Sequence, residues 1–411
     1  MVSGEDGGCG VKRIVAIKLA PTAQEYAALY ATLVACNAVA TMVAEVAQTT
    51  RDRRAFAMQR LVYIACKDRG LSAQPAVRTI KKVADAYATR DSNLAKGRHG
   101  CPDSSRYRRV VSTPIAFRPD AAQPFDDRCL SWQIELSTVS IWTTVGRLKN
   151  VRFVCAQWQR EHLASRRGES DLVYRDGQFY LYATIDTPDP DPITPADSRS
   201  GWLGVDLGIV NLAVTTDDDP THLDVRWSGG AVTARRKKNL ALRRALQRVG
   251  TKSAKRKLKA RRRKESRYAT DINHQVSKAI VAQAQRTERG IAIENLSGIR
   301  ERVRLARTQR QQLHSWSYAQ LRDQICYKAR LAGVPVQVVD PRNTSRTCHH
   351  CGHCAKSNRP SQAKFRCHGC GWIGHADHNA AHKIAQLGHT HYRAAQSTGL
   401  KQPPVSHPVR T

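Results

Sequence analysis

The chain has 411 residues, with 67 Lys and Arg against 34 Asp and Glu, a formal net charge of +33 before histidine is counted. That length allows about two to four domains with a sizeable core. A surplus this large repels itself unless a polyanion neutralises it, so nucleic acid is the expected partner. Of the 12 cysteines, five lie between Cys348 and Cys370 and the rest are scattered singly, which speaks against a disulfide framework. The first residues, Met1 to Asp6, are acidic and lack the basic-then-apolar pattern of a secretory signal. The most apolar window, Ala31 to Ala47, is interrupted by Asn37 and Glu45 and reads as too short and too weakly apolar for a membrane span. A reducing cytoplasm and no membrane partner are expected, with the scattered cysteines as small buried apolar residues.

In chain order, Val11 to Leu19 alternates basic and apolar residues and predicts a strand closed by Pro21 and Thr22. From Thr22 to about Thr89 the pattern turns helical. Leu29, Leu33, Cys36, Val39 and Val43 mark a first helix, Leu61 and Ile64 a second, and Val77, Ile80 and Val83 a third. Asp91 to Tyr107 reads as a polar loop. Strand signals return in Arg108–Ala116, Cys129–Thr143 and Val151–Cys155, and then in Leu172–Ala183, where Asp176-Gly177 predicts a hairpin turn. Thr187-Pro188-Asp189-Pro190-Asp191-Pro192 is a stiff, extended stretch, and the main boundary is placed there. Beyond it, Trp202–Thr216 and His222–Trp227 predict paired strands, and Arg235–Arg286 long basic helices. Gly290–Leu296 is a strand, Trp316–Ala332 a helix and Val334–Val339 a strand. Strands with helical crossovers and acids at their ends predict an α/β sheet of the ribonuclease-H type. From Leu387 onward the tail is polar and is expected to be disordered.

The densest chemistry lies between Cys348 and Ala381. Cys348-x2-Cys351, fifteen intervening residues and Cys367-x2-Cys370 have the spacing of one tetrahedral, four-thiolate Zn²⁺ site. Cys351-x2-Cys354 is also a valid pair, and His349, His350, His353 and His368 are alternative ligands. Such a closed site does no chemistry of its own; it stabilises a loop. Asp377 follows, heading an Ala-rich helical run, and zinc does not require it. Asp206, in Gly204-Val205-Asp206-Leu207-Gly208, and Glu294, after Ile291-Ala292-Ile293, are matching acids at element ends. Individually they read equally well as a turn former, a surface turn and a helix cap. Together, in so basic a chain, they predict a metal-dependent nuclease holding two metal ions, with Asp206 bridging and Glu294 and Asp377 completing the two coordination shells.

Gly204-Val205-Asp206-Leu207-Gly208 with Asn211-Leu212-Ala213 resembles the first RuvC motif of TnpB proteins and compact type V CRISPR effectors, and Ile293-Glu294-Asn295-Leu296 the second. Thr344-Ser345-x2-Cys348-x2-Cys351-Gly352, Phe365-x-Cys367-x2-Cys370-Gly371 and Ala376-Asp377-x-Asn379-Ala380-Ala381 are similar to their zinc ribbon and third RuvC motif, in the same order. The resemblance covers about residues 200–385; the N-terminal half matches in layout only. It implies an α/β and α+β multidomain protein: a RuvC-like ribonuclease-H fold with an inserted four-Cys zinc ribbon, preceded by a β-barrel-like wedge domain that carries a helical recognition insertion. The corresponding divisions are 1–21 and 107–190 (wedge), 22–106 (recognition), 191–342 and 374–386 (nuclease), 343–373 (ribbon) and 387–411 (tail). It also implies a guide RNA, a double-stranded DNA target cut beside a short flanking motif, and Mg²⁺ at the triad. One subunit or a homodimer is compatible with it.

Arg235 to Arg267 holds 17 Lys or Arg residues and a single acid, Glu265. Leu240, Leu246 and Val249 suggest a narrow apolar seam, and Gly250-Thr251 a break with Ser253 as a possible cap. Arg235, Arg236, Lys237, Lys238, Arg243, Arg244, Lys255, Arg256, Lys257, Lys259, Arg261, Arg262 and Arg263 are therefore expected to track a phosphate backbone rather than form a merely solvated face. Arg51, Arg53, Arg54, Lys81, Lys82, Arg106, Arg108 and Arg109 are further candidates for guide or flanking-duplex contacts. Trp202 and Trp316 read as core. Besides the TnpB-type enzyme, the sequence admits a compact type V effector, an RNA-guided binder with weak cleavage, and a guide-free nuclease or transposase on the same core.

Overall fold

A computed structural model describes residues 11–208, 210–217, 229–296 and 318–398. The expected strand His222–Trp227, Trp316 and the last part of the tail lie outside them. The chain divides into two compact units, Met1–Pro188 and Asp189–Thr411.

In the first unit, β1 (Val11–Leu19) turns Val15, Ile17 and Leu19 inward. Thr22 and Glu25 then form a reciprocal cap for α1 (Ala23–Thr50): the Thr22 amide donates to Glu25 Oε2 at 2.8 Å and the Glu25 amide to Thr22 Oγ1 at 3.3 Å. The helix is longer than the apolar window read from sequence. With 28 residues and a window of mean hydropathy 1.7, it is long and apolar enough to cross a membrane, yet 56% of that window is buried within the protein. Leu29 and Leu33 face the sheet core, whereas Cys36, Val39, Ala40 and Val43 pack against α2 (Ala55–Asp68) and α3 (Ala73–Ala95). The second helix forms as expected but shows another face. Met58, Val62 and Cys66 are buried, while Leu61 and Ile64 are 59% and 74% exposed. Helix α3 continues into the stretch expected to be loop.

Arg108–Ala116, expected as a strand, instead begins within helix α4 (Ser105–Ser112). Ser104 caps it by accepting from the Tyr107 amide at 3.2 Å, and this local cap prevails over the β-branched pair Val110-Val111. The remaining strands are β2 (Gln123–Phe125), β3 (Leu130–Gln133), β4 (Thr138–Thr143), β5 (Gly146–Val154), β6 (Arg166–Arg175) and β7 (Gln178–Thr187), with the short helix α5 (Gln157–Leu163) after β5. They join β1 in a seven-stranded antiparallel sheet of order β2-β6-β7-β1-β5-β4-β3. Among the described residues no ladder joins β2 to β3, so hydrogen bonds do not close this sheet into a barrel. The expected strand Cys129–Thr143 folds as the β3–β4 hairpin, turning at Ser137 with φ +53°. Asp176 and Gly177 take φ +51° and +81°, as a tight hairpin turn demands.

The second unit is built on a four-stranded sheet of order β11-β10-β8-β9. Strands β8 (Trp202–Asp206), β10 (Gly290–Glu294) and β11 (Val336–Val339) run parallel, and β9 (Val214–Thr215) is antiparallel to β8. The near-continuous apolar runs of β8 and β10 follow from burial on both faces. Leu203, Val205, Ile291 and Ile293 pack with Val276 and Ile280 of α7 (Lys252–Arg286) and with Leu321 and Ile325 of α8 (Tyr318–Leu331). Trp202 and Ala292 pack with Ile384 and Ala385 of α9 (Ala376–Ser397). Trp202 is 1% exposed, a core residue. Helix α6 (Gly230–Val249) precedes α7 and ends at Gly250, whose φ is +68°. The cap of α7 is Thr251, which accepts from the Ala254 amide at 3.2 Å, rather than Ser253. Val249 is 62% exposed and lies outside the expected seam.

Helix α9 runs to Ser397, into the stretch expected to be disordered from Leu387. Polar contacts and one ring hold it there: His389 Nε2 meets Asp197 at 2.9 Å, Arg393 the same carboxylate at 3.5 Å, and Tyr392 lies 5.1 Å from Trp202 between ring centroids.

Candidate active site and cysteine cluster

Asp206 and Glu294 end adjacent parallel strands. The last paired residues are Val205 and Ile293, so both acids emerge side by side at the carboxyl end of the sheet. Asp377 reaches the same place from α9, because that helix lies directly on β8. A Cβ on Gly204 would stand 1.9 Å from the Ala381 carbonyl oxygen and 2.7 Å from the Ala385 nitrogen. Only glycine permits that approach, and Ala380 and Ala381 keep the facing helix surface small.

Glu294 is 6% exposed and Asp377 4%, so neither is a surface turn or a solvent-facing cap. The helix cap is His375, whose Nδ1 accepts from the Asp377 amide at 3.3 Å. The Asp377 carboxylate is engaged at both oxygens, by Asn211 Nδ2 at 3.1 Å and by Arg359 at 2.8 Å. Thr344 Oγ1 donates to Glu294 Oε1. Burial, followed by the charges of Glu294 and Asp377, holds the Asp206 carboxyl well above the usual range, against the pull of Arg359. Burial likewise pushes Glu294 up to about 7, opposed by the Thr344 hydroxyl and Arg359 and aided by Asp340. Asp206 and Glu294 in this condition favour either protons or cations.

Cys348, Cys351, Cys367 and Cys370 have all their sulfurs within 4.8 Å of one another. The Cys348–Cys370 and Cys351–Cys367 separations are 3.8 and 3.5 Å. Four sulfurs about 2.3 Å from a tetrahedral ion stand about 3.8 Å apart, so the cluster fits such an ion. Each C-x-x-C turn closes in the same way. The Gly352 amide donates to the Cys348 carbonyl at 2.9 Å and the Gly371 amide to the Cys367 carbonyl at 3.0 Å, with φ +78° and +76° at the two glycines. The short strands β12 (Lys364–Arg366) and β13 (Ile373–His375) lead from the cluster into α9. Cys354 is exposed and bridges Thr347 instead, and neither it nor the nearby histidines join the cluster.

Asn379 ties the cluster to the acids. It is fully buried, its Oδ1 accepts from the His349 amide at 3.0 Å, and its Nδ2 donates to the Thr347 carbonyl at 2.9 Å. Arg359 was not singled out from sequence, and no local pattern around it gives a signal. Thr344, Asn211 and Asn379 belonged to recognisable motifs, but only the fold reveals their partners.

Most of the basic residues on α6 and α7 are exposed: Arg235, Lys237, Lys238, Arg244, Lys255, Arg256, Lys257, Lys259, Arg262 and Arg263. Arg236, Arg243 and Arg261 are half-buried, and the last two also join the helix pair. Arg243 faces Glu265 at 3.7 Å and Arg261 donates to Asn239 at 2.7 Å. Arg235 lies 4.0 Å over the Tyr268 ring. In the N-terminal unit, Arg53 pairs with Asp91, Arg54 with Asp52, Lys81 with Asp85, and Lys82 donates to Asn37 at 2.6 Å.

Residues 318–384 match the family model of the Cas12f1-like TNB domain. The CRISPR-associated endodeoxyribonuclease Cas12f1 of Sulfoacidibacillus thermotolerans is 29% identical over 228 residues, 53% of this chain and 52% of that protein. The TnpB-like protein MJ0751 of Methanocaldococcus jannaschii is 32% identical over 111 residues, 27% of this chain and 39% of that one. The chain spans about half the length of the curated relatives it matches, or less. The solved structure of the mini-RNA-guided endonuclease CRISPR-Cas_phi3 aligns over 97% of this chain and 94% of its own with a TM-score of 0.52 and 11% identity, a likeness of fold. These matches bear out the resemblance to the TnpB proteins and the compact type V effectors.

Proposed function

We propose that the protein is an RNA-guided DNA endonuclease of the insertion-sequence TnpB type, cutting double-stranded DNA beside a short flanking motif. The observation that carries this is the convergence of Asp206, Glu294 and Asp377 from two parallel strands and a helix. The sheet order, with β9 antiparallel to a parallel β8-β10-β11 core, supports a RuvC-like ribonuclease-H nuclease domain. The triad is the site for two Mg²⁺ and the four cysteines for one structural Zn²⁺. Asp206, Glu294 and Asp377 would hold the two Mg²⁺, which would supply activation of a water and stabilisation of the leaving oxygen in phosphodiester hydrolysis. The chain's own residues fix the carboxylates: Thr344 orients Glu294, Asn211 orients Asp377, and Asp206 ends an inner strand beside the one that ends at Glu294. The exposed cations of α6 and α7 suit a guide RNA–DNA heteroduplex held by backbone shape.

Two experiments test this. Expression with the native flanking DNA should yield one discrete co-purifying RNA with a variable end, and heterogeneous or absent RNA would move the assignment to a guide-free nuclease. Asp206→Ala should abolish cleavage and leave guided DNA binding intact. Loss of both would make the aspartate structural. A compact type V effector shares this chemistry; a CRISPR array in place of transposon ends beside the gene identifies it.

A further inference from the structure

Helix α3 ends at Ala95, and the chain turns back through residues 96–104 to begin α4 at Ser105. The end of α3, this turn and α4 together line a cavity of about 770 Å³. That volume lies in the range of small-ligand sites, about 300–1,000 Å³. Its walls are held in place. Gly97 and Gly100 take φ +65° and +90°, the Gly97 amide donates to the Leu94 carbonyl at 3.0 Å, and Ser104 Oγ donates to the Cys101 carbonyl at 2.8 Å. Arg90 is 8% exposed and donates to the Val110 carbonyl at 3.3 Å, while Gln48 Nε2 donates to that of Val111 at 2.8 Å. The far end of α4 is thereby fixed on α1 and α3.

Leu94, Pro102 and Tyr107 supply apolar walls, and Asp91 brings a carboxylate to the same space. Arg53 Nη1 reaches both oxygens of that carboxylate, at 3.2 and 3.0 Å, and Arg90 Nε one of them at 3.5 Å. The two guanidiniums are pinned in turn against the Tyr87 ring, 4.9 and 4.4 Å from its centroid. Asp91 is thus oriented, yet its side chain is 47% exposed, and each oxygen has a further lone pair to offer. Lys96, Arg98, Arg106 and Arg108 adjoin lining residues in sequence and are exposed. A phosphate suits these outer cations and is repelled by Asp91; a flat base with hydrogen-bond donors suits the interior.

We infer that this cavity binds a guanine nucleotide, with the base against Tyr107, its N1–H and N2–H donating to Asp91, and its phosphate outside among the cations. Guanine sets two donors side by side, which matches the two oxygens of a carboxylate. Adenine and cytosine present one amino donor beside a ring acceptor, and a carboxylate repels the acceptor. The aromatic ring adds stacking that any base would enjoy, so selectivity rests on Asp91. This chemistry involves none of the three acids of the second unit.

The test uses full-length protein freed of nucleic acid and follows alkylation of Cys101, an exposed thiol in the cavity wall, by peptide mass spectrometry. Guanosine monophosphate should slow that alkylation at concentrations about tenfold below those needed with adenosine monophosphate, which forgoes a charge-assisted hydrogen bond. Alkylation of Cys354, exposed but outside the cavity, should not change. A short single-stranded RNA with one guanine among uridines, compared with the same strand carrying adenine, identifies the source. Protection at concentrations well below those of the mononucleotide places the base in a strand, and protection no better than the mononucleotide's makes the ligand a free nucleotide. In both cases guanine must outperform adenine. Tyr107→Ala and Asp91→Asn should each raise the guanosine monophosphate required about tenfold, and a folded Asp91→Asn should lose the preference for guanine. Absence of protection, or equal protection by the two mononucleotides, overturns the inference on the wild-type protein alone.

Discussion

Gly204→Ala alters no carboxylate, yet it should disable the site. The added Cβ meets helix backbone at 1.9 Å and 2.7 Å, and neither contact can be relieved by turning a side chain. Normal carbon–oxygen contact is about 3.4 Å, so α9 must retreat from β8 by roughly 1.5 Å. Overpacking of this kind costs about 1–3 kcal/mol in stability. The larger effect is geometric, because α9 carries Asp377 and β8 carries Asp206, so the retreat separates two acids that must act together. A displacement of about 1 Å in a catalytic constellation costs about 100-fold in rate. Mg²⁺-dependent cleavage of a guided target should therefore fall about 100-fold or more, with guided binding retained and the melting temperature lowered by several degrees. Cleavage within threefold of wild type would refute the contention that this helix–strand contact sets the triad.

Cys367→Ser should reduce bound zinc to near zero by elemental analysis and weaken cleavage, whereas Cys354→Ser should leave zinc content unchanged; the reverse pattern would reassign the ligands. The titration of Glu294 gives a pH prediction for protein without divalent ions at the triad. Its pKa rises from an ordinary 4.5 to about 7, so the native state binds the extra proton between those values and stability falls as pH increases through that window. The shift corresponds to about 3 kcal/mol, and Glu294→Gln should flatten the denaturation-versus-pH curve there. For the same reason Mn²⁺ uptake near pH 6 should release protons, measurable by calorimetry in buffers of different ionisation heat; uptake without release would contradict the raised value.

The acids and the cysteine spacing were readable because both chemistries constrain residue type locally. Paired thiolates need a short turn between them, and Asp206 and Glu294 end apolar runs of the kind that buried parallel strands carry. Arg359, by contrast, is one arginine in a chain holding many, and only the position of its loop distinguishes it. The faces of α2 were misread for a related reason. Leu61 and Ile64 satisfy helical periodicity as well as Met58 and Val62 do, and the choice between them is made by α1 and α3. The order in α9 beyond Leu387 was hidden because its partner, Asp197, lies far away in sequence. At α4 a serine cap decided the conformation where β-branched residues pointed the other way.

The packing of α9 on β8 also sets a schedule. Translation produces β8 early and α9 late, with the basic helices and the cysteine turns in between. Until α9 emerges, the face bearing Trp202 and Ala292 is uncovered and Asp206 lacks one of its two companions. A nascent chain thus exposes its cationic helices before its three acids can come together. The same bare apolar face gives a stalled or truncated product a surface for aggregation and chaperone capture rather than a partial activity.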